Sequence, residues 1–210
     1  MIQKIMLNHM TKSNEKMGHL YFKQSEHSDT LVAIFPGGNY SCERPLLHYL
    51  RKSALNKNFD VLSINYGDAF KDFEFGVCLF DEMAYEAKKV LEICLSKNTY
   101  RKVVLVGKSI GTTLIGRIRD EMDLGYDVKQ IYLTPIRESI EDMKRYNGLV
   151  ITGTKDKLFS IDMVNQVKEM PKNIIKMFEG ANHALELEGD ISKTIDLHKE
   201  ILKICSAYLT

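Results

Sequence analysis

The sequence predicts an α/β protein, with a mostly parallel central sheet and helices on both of its faces. Short apolar runs of strand length alternate along the chain with longer segments whose apolar residues recur every three or four positions. Strands that alternate with helices pair in parallel through right-handed crossovers, and the helices then cover both faces of the sheet. The 210 residues contain no internal repeat, linker or low-complexity tract, so we expect a single domain over residues 1–210.

The individual elements follow from these patterns in chain order. Two strand-like pieces, IQKIML and HLYFKQ, flank the polar stretch TKSNEK and predict an N-terminal antiparallel hairpin on the sheet edge. The apolar runs predict strands at 31–35, 60–65, 102–106, 129–133, 148–152 and 173–178. Apolar stripes at helical spacing predict helices at 77–96, 109–123 and about 191–209.

Composition excludes several classes of function. The 29 basic and 28 acidic residues nearly balance, and no basic stripe favours a nucleic-acid partner. The longest apolar runs have strand length, and the N-terminus lacks the features of a secretory signal, so we expect a cytoplasmic protein without a membrane partner. The four cysteines have no Cys-x-x-Cys spacing and the histidines no metal-ligand spacing. We therefore expect reduced thiols, no metal and no cofactor.

The segment VVLVGKSIGT at 103–112 combines an apolar run, a Gly-x-Ser-x-Gly step and helix-compatible sequence. A strand, a sharp turn and a helix would raise the Ser109 hydroxyl above the sheet edge, and the flanking glycines would avoid a clash in so tight a turn. A phosphate-binding P-loop would need a glycine at position 102, which is a lysine. A dinucleotide-binding turn would need glycine at both 109 and 112. The non-catalytic alternative is that Ser109 only caps a helix.

Three chemically complementary side chains follow three different predicted strands. Ser109 follows 102–106, Asp156 follows 148–152 and His183 follows 173–178. Ligands of open α/β sheets bind at the carboxyl ends of the strands, so we expect these residues to meet there. A serine nucleophile needs a histidine base, which a carboxylate orients. Asp156 could instead only satisfy loop amides, with Glu179 or Glu186 as the acid, and His183 could be a structural loop histidine.

An acyl-transfer site also needs hydrogen-bond donors for the developing oxyanion. The backbone amide of Ile110, directly after the serine, is the first candidate. The second is the amide of Gly38 or Asn39 in the turn PGGNY after strand 31–35, because glycine allows a substrate to approach the backbone closely.

The order of elements and the segments GKSIG, FPGGNYS, GTKDKLF and GANHALE resemble the α/β-hydrolase superfamily over about residues 31–209. The most similar members are small, lidless esterases and dienelactone hydrolases. The resemblance implies a triad of Ser109 as nucleophile, Asp156 as acid and His183 as base. Many relatives have histidine where Pro36 stands, and dienelactone hydrolases use a cysteine nucleophile, so Ser109 argues against that specific activity.

The implied function is a serine hydrolase that cleaves small carboxylic esters or related acyl compounds through an acyl-enzyme. An acyltransferase or thioesterase with the same triad, and a non-catalytic binding protein of this fold, are the alternatives. Thr134-Pro135-Ile136 runs almost directly into the next helix, which leaves no room for a lid domain. The candidate pocket residues for the small-molecule acyl substrate are Tyr40, Tyr66, Phe70 and Phe159. The sequence leaves the physiological substrate and the oligomeric state undetermined.

Overall fold

Eight strands pair into one sheet in the computed structural model, which describes residues 1–12, 14–66, 77–121, 125, 127–170 and 172–210. The strands are β1 (Ile2–Met10), β2 (Lys16–Gln24), β3 (Thr30–Phe35), β4 (Asp60–Ser63), β5 (Lys102–Lys108), β6 (Asp127–Leu133), β7 (Leu149–Gly153) and β8 (Ile174–Phe178). Their order across the sheet is β1-β2-β4-β3-β5-β6-β7-β8. All pairs from β4 to β8 are parallel, whereas β1 and β2 form an antiparallel hairpin and β2 lies antiparallel to β4.

Helices cover both faces of the sheet. They are α1 (Pro45–Asn56), α2 (Val77–Leu95), α3 (Ile110–Glu121), α4 (Ile140–Arg145), α5 (Ile161–Lys168) and α6 (Ile191–Leu209). The helices α1 and α6 pack together over one face, and α2 to α5 contribute to the apolar cluster on the other. Local sequence explains the helix starts: Pro45 needs no hydrogen-bond acceptor in the first turn of α1, and the Asp190 carboxylate caps α6 by accepting from the Lys193 amide at 2.9 Å.

The central strands are buried on both faces, as parallel strands between two helical layers must be. Along β5, Val103 and Leu105 pack toward the cluster that includes α2 and α3, and Val104 and Val106 pack toward α1 and α6. Burial of each such side chain contributes about 1.5–3 kcal/mol. The sheet is therefore a rigid platform, and the loops at its carboxyl edge project from fixed positions.

The structure confirms the predicted fold class, the N-terminal hairpin and the six parallel strands, with boundaries displaced by one to a few residues. The predicted helices at 77–96 and 191–209 correspond to α2 and α6, and 109–123 corresponds to α3, although 122–123 lie outside the described residues. The sequence patterns gave no bounds for α1, α4 or α5, although a helix soon after Thr134–Ile136 was expected and the 3-10 turn and α4 lie there. In α1 the buried residues Leu46, Leu50 and Ala54 recur every four positions, which is a recognisable helical signal.

The connection after β6 carries no inserted lid domain. The chain passes from Leu133 through Thr134–Ile136 into a 3-10 turn at Arg137–Ser139 and then into α4. Among the described residues, no helix combines the length and the apolar character that a membrane span requires.

Candidate active site

Ser109 occupies a strained turn between β5 and α3. Its backbone φ is +53°, in the left-handed region that costs a residue with a side chain about 1–2 kcal/mol. The turn is tight, because a Cβ atom on Gly111 would lie 2.2 Å from the carbonyl oxygen of Phe35, and one on Gly107 would lie 2.5 Å from that of Gly111. The Ser109 amide donates to the Leu133 carbonyl at 2.9 Å, which ties the turn to the end of β6.

Asp156 lies in the loop after β7, and its carboxylate is completely buried. The amides of Leu158 and Phe159 donate to Oδ1 at 2.9 and 3.2 Å, and the Thr152 hydroxyl donates to Oδ2 at 3.4 Å. These donors fix the direction of the carboxylate. The expected loop amides account for two of its hydrogen bonds, but they are not its only partners.

His183 lies in a compact loop after β8. The side chain of Asn182 closes this loop by accepting from the amides of Ala184 and Glu186 at 2.9 and 3.1 Å. The backbone of Leu185 has a φ of +64°, which turns the chain back toward α6. This loop presents the imidazole ring to the end of β5.

The three side chains form one continuous hydrogen-bonded chain. His183 Nε2 lies 2.9 Å from Ser109 Oγ, and His183 Nδ1 lies 2.9 Å from both carboxylate oxygens of Asp156. Because a carboxylate only accepts, Nδ1 carries the proton and Nε2 is free to accept from the serine hydroxyl. The imidazole is 26% exposed, whereas Glu179 and Glu186, the alternative acids, are exposed on the loop surface.

A cavity of about 320 Å³ opens beside the serine. Its lining consists of Gly37, Gly38, Asn39, Tyr40, Lys108, Ser109, Ile110, Leu158, His183 and Ala184. A Cβ atom on Gly37 would lie 3.3 Å from the Cβ of Ser109, so the turn after β3 packs closely against the turn that carries Ser109. The cavity therefore includes the predicted oxyanion donors Ile110, Gly38 and Asn39 and the predicted pocket residue Tyr40.

The other predicted pocket residues lie elsewhere. Tyr66 is buried and lines a neighbouring cavity of about 390 Å³, which shares Gly37 and Gly38 with the first. Phe159 is 1% exposed and packs into the core, so it contributes its backbone amide to Asp156 but no side-chain surface to the cavity. Its side chain turns inward because the loop aims its amide at the carboxylate. Phe70 lies outside the described residues.

Lys108 is a residue at the site that the sequence analysis did not identify. Although it precedes Ser109 at the end of β5, its side chain is enclosed, with 1% exposure. Nζ donates to Thr134 Oγ1 at 2.5 Å and to the His183 carbonyl at 2.7 Å. Burial lowers the pKa of Lys108 to about 7, and the carboxylates of Asp156 and Glu186 oppose this shift. The available signal was a lysine directly after an apolar run, where a solvated side chain is not expected.

The cysteine thiols that the structure describes are unreactive. Cys42, Cys94 and Cys205 are free and buried, and burial raises the pKa of Cys42 and Cys205 to about 12, so these thiols stay protonated and weakly nucleophilic. The side chain of Cys78 lies outside the described residues. Across the described ranges, no group of three or more His, Cys, Asp and Glu side chains has an arrangement that could hold a metal ion.

Comparison with solved structures places this chain among α/β hydrolases in fold. The Pyrococcus furiosus esterase Pf2001 superposes with a TM-score of 0.72 at 11% identity, covering 100% of this chain and 94% of the esterase. An alpha-beta serine hydrolase homologue from Coxiella burnetii superposes at 0.70 with 12% identity, covering 99% and 97% of the two chains. A dienelactone hydrolase from Anabaena variabilis superposes at 0.70 with 11% identity, covering 99% and 96%. Such low identities establish the α/β-hydrolase fold alone. No family model and no curated protein matches the sequence.

Proposed function

With the α/β-hydrolase fold as premise, we propose that this protein is a serine hydrolase that cleaves small carboxylic esters or related acyl compounds. One observation carries the proposal. Ser109, His183 and Asp156 form a continuous hydrogen-bonded chain, with 2.9 Å at each junction, beside an open cavity at the carboxyl edge of the sheet. That edge is where open α/β sheets bind their ligands.

The proposed reaction proceeds in two steps. In the first, Ser109 Oγ attacks the acyl carbon while His183 Nε2 takes the hydroxyl proton, and the leaving alcohol then receives that proton as the ester bond breaks. In the second, water attacks the acyl-enzyme with His183 again acting as base, which releases the carboxylic acid and restores the serine. Asp156 holds the imidazole in the required tautomer and stabilises the imidazolium that forms in each step.

The oxyanion of each tetrahedral intermediate requires preorganised donors. The amide of Ile110 begins α3, where the helix dipole also favours negative charge. The amide of Gly38 or Asn39, at the tip of the turn after β3, is proposed as the second donor. Loss of one such donor typically costs about 2.7–4 kcal/mol of transition-state stabilisation.

The dimensions of the cavity support a small substrate. A volume of about 320 Å³ lies at the lower end of the range for small-molecule sites. Ile110, Leu158, Ala184 and the Tyr40 ring supply apolar surface beside Ser109, which suits a short acyl group or a small alcohol. Acyl transfer would use the same three residues, and product analysis with an added alcohol or thiol acceptor separates it from hydrolysis.

Covalent labelling with a fluorophosphonate tests the proposal directly, because this probe reacts with an activated serine. We expect one labelled peptide containing Ser109, together with turnover of a chromogenic short-chain ester. Ser109→Ala should remove both signals, and His183→Gln should slow both by orders of magnitude. Ser96→Ala is the matched control, since Ser96 is exposed beyond the end of α2. Undiminished labelling of the Ser109→Ala protein would contradict the proposal.

A further inference from the structure

The Lys108 side chain connects four elements of the site through one nitrogen atom. Nζ donates to Thr134 Oγ1, directly after β6, and to the carbonyl oxygen of His183 in the loop after β8. It also lies 4.9 Å from the centre of the Tyr40 ring, in the turn after β3. Lys108 itself ends β5 and precedes Ser109. The loops that carry the nucleophile, the base and a cavity wall therefore share one anchor.

Burial makes this lysine costly to the fold. An ammonium group that leaves water loses several kcal/mol of solvation even after relaxation of its surroundings. Neither Asp156 nor Glu186 forms a direct ion pair with it within the contacts of the described residues, although both carboxylates are near enough to favour its charged form. An apolar side chain of similar length would fill the same space without this cost, so stability alone does not account for a lysine here.

We propose that Lys108 is a positioning residue, which holds the backbone of His183 so that Nε2 stays within reach of the Ser109 hydroxyl. The proposal rests on the proposed function, because it assigns a role relative to the same serine and histidine. The Asp156 carboxylate fixes the rotation of the imidazole, but it does not fix the height of the loop above the sheet. Lys155 and His198 hold the loop through the carbonyls of Ala181 and Leu185, each at 3.0 Å, and the bond from Lys108 is the one that holds the His183 carbonyl itself. A bond from a charged donor is about twice as strong as one between neutral groups.

Lys108→Met is the variant that tests this role, because methionine fills similar space and has no donor. We expect the rate constant for fluorophosphonate labelling of Ser109 to fall about 10- to 100-fold, the effect of a misplacement of about 1 Å in catalytic geometry. For a chromogenic ester, kcat should fall and KM should change little. The thermal midpoint should stay unchanged or rise, since a buried charge has been removed.

A pH series separates positioning by a charged donor from simple filling of space. The groups that face Lys108 are Asp156, Glu186, His198, His183 and the Tyr40 ring. Since the pKa of Lys108 is about 7, the ratio of wild-type to Lys108→Met labelling rates should be largest at pH 6 and should shrink toward pH 9. If Lys108 only filled space, Lys108→Met would be labelled at close to the wild-type rate at every pH, and that outcome would overturn the proposal.

Thr134 supplies a second route if Lys108→Met fails to fold. Thr134→Val keeps the shape of the side chain but removes one of the two acceptors of Nζ, and it should slow labelling about three- to tenfold, whereas Thr134→Ser should restore the rate. Labelling of Lys108→Met or Thr134→Val within twofold of wild type, with Ser109→Ala unlabelled, would refute the positioning role alone. Equal labelling of all variants, Ser109→Ala included, would instead refute the proposed function.

Discussion

Two buried aspartates lie at opposite edges of the same sheet. Asp156 follows β7 at the carboxyl edge, and Asp60 begins β4 at the amino edge. Asp60 is completely buried, and its carboxylate accepts from the Tyr100 hydroxyl at 2.6 Å and from the Gln24 amide at 2.7 Å. The Tyr21 hydroxyl lies 2.9 Å from the same carboxylate and 2.7 Å from the Tyr100 oxygen. The Asn98 side-chain amide also donates to the Asp60 carboxylate at 3.5 Å. Both aspartates are therefore buried, and each accepts from four donors.

The two aspartates differ in the chemistry of the groups that donate to them. Burial and the nearby Asp60 carboxylate raise the pKa of Tyr21 and Tyr100 far above the usual tyrosine value, so both hydroxyls remain donors at any physiological pH. Asp156 instead faces the His183 imidazole, which has a second ring nitrogen, and that nitrogen contacts the Ser109 hydroxyl beside a cavity. A buried, hydrogen-bonded carboxylate is therefore no indication of catalysis by itself. The indication of catalysis is the series of hydrogen-bonded groups that connects the carboxylate to a cavity.

Of the substitutions at the two aspartates, Asp156→Asn should produce the larger effect on turnover. Asparagine keeps the shape and can still accept from the Leu158 amide, but it favours the wrong imidazole tautomer and cannot stabilise an imidazolium. We expect kcat/KM for a short-chain ester to fall about 10⁴-fold, with a change of less than about 1 kcal/mol in the free energy of unfolding. Retention of more than a tenth of the wild-type turnover would remove Asp156 from the mechanism.

Asp60→Ala should reverse that result, with a loss of stability and no loss of activity per folded molecule. The substitution leaves two tyrosine hydroxyls and the Gln24 amide without their shared acceptor in the interior. Removal of one member of a buried charged network costs about 3–5 kcal/mol, which urea unfolding would measure. Tyr100→Phe, which removes one donor only, should cost less. An Asp60→Ala protein as stable as wild type would show that burial of this carboxylate is not a structural requirement.

A buried histidine, His19, makes the stability of the protein depend on pH. His19 is 1% exposed and lies between the Asn65 amide and the His9 ring, each at 3.1 Å. Burial and, secondarily, the charge of His9 lower the pKa of His19 to about 4, whereas the unfolded chain has a value of about 6.5. The unfolded state therefore binds the proton more readily, and the stabilisation is complete above pH 6.5 and is lost as the pH falls toward 4.

We expect this histidine to contribute about 1–3 kcal/mol to the decrease in unfolding free energy between pH 7 and pH 4. His19→Gln should show a smaller decrease over that interval than wild type. His27→Gln is the matched control, because His27 is exposed in the turn before β3, and it should follow the wild-type profile. Identical pH profiles for His19→Gln and His27→Gln would contradict the prediction.

The smallest expected effect concerns strain at the nucleophile. Ser109 has a φ of +53°, a conformation that glycine adopts without a steric penalty. Ser109→Gly should therefore be more stable than Ser109→Ala by about 1 kcal/mol, although both variants lack the hydroxyl. Thermal unfolding of the two variants measures this difference. Equal stabilities would mean that the turn relaxes when the serine is removed.

The sequence predicted the features that follow from adjacent residues or from the ends of the predicted strands. The strands have continuous apolar runs, and the tight five-residue turn around Ser109 requires the glycines that flank it. The meeting of Ser109, Asp156 and His183 was expected because parallel strands deliver all their carboxyl ends to one edge.

Contacts between distant residues that no motif marks were not predictable in this way. The partners of Lys108 lie 26 and 75 positions away, and nothing in the local sequence selects them. The position of the Phe159 side chain was not predictable either, because the sequence around it fits a residue of the core as well as one that lines the cavity. Asp60 and its tyrosines, 39 and 40 positions apart, show no motif at all. Their assembly is a property of the sheet order.

The direct passage from β6 through Thr134–Ile136 into the 3-10 turn has a consequence for the physical state of the substrate. Large lipases carry a lid at this point. Here the chain has no lid at that position that would have to move before substrate enters, so we expect turnover of an ester by this protein to follow the concentration of the dissolved ester. Its rate should saturate smoothly with monomeric substrate and show no abrupt rise when the ester begins to form micelles or droplets.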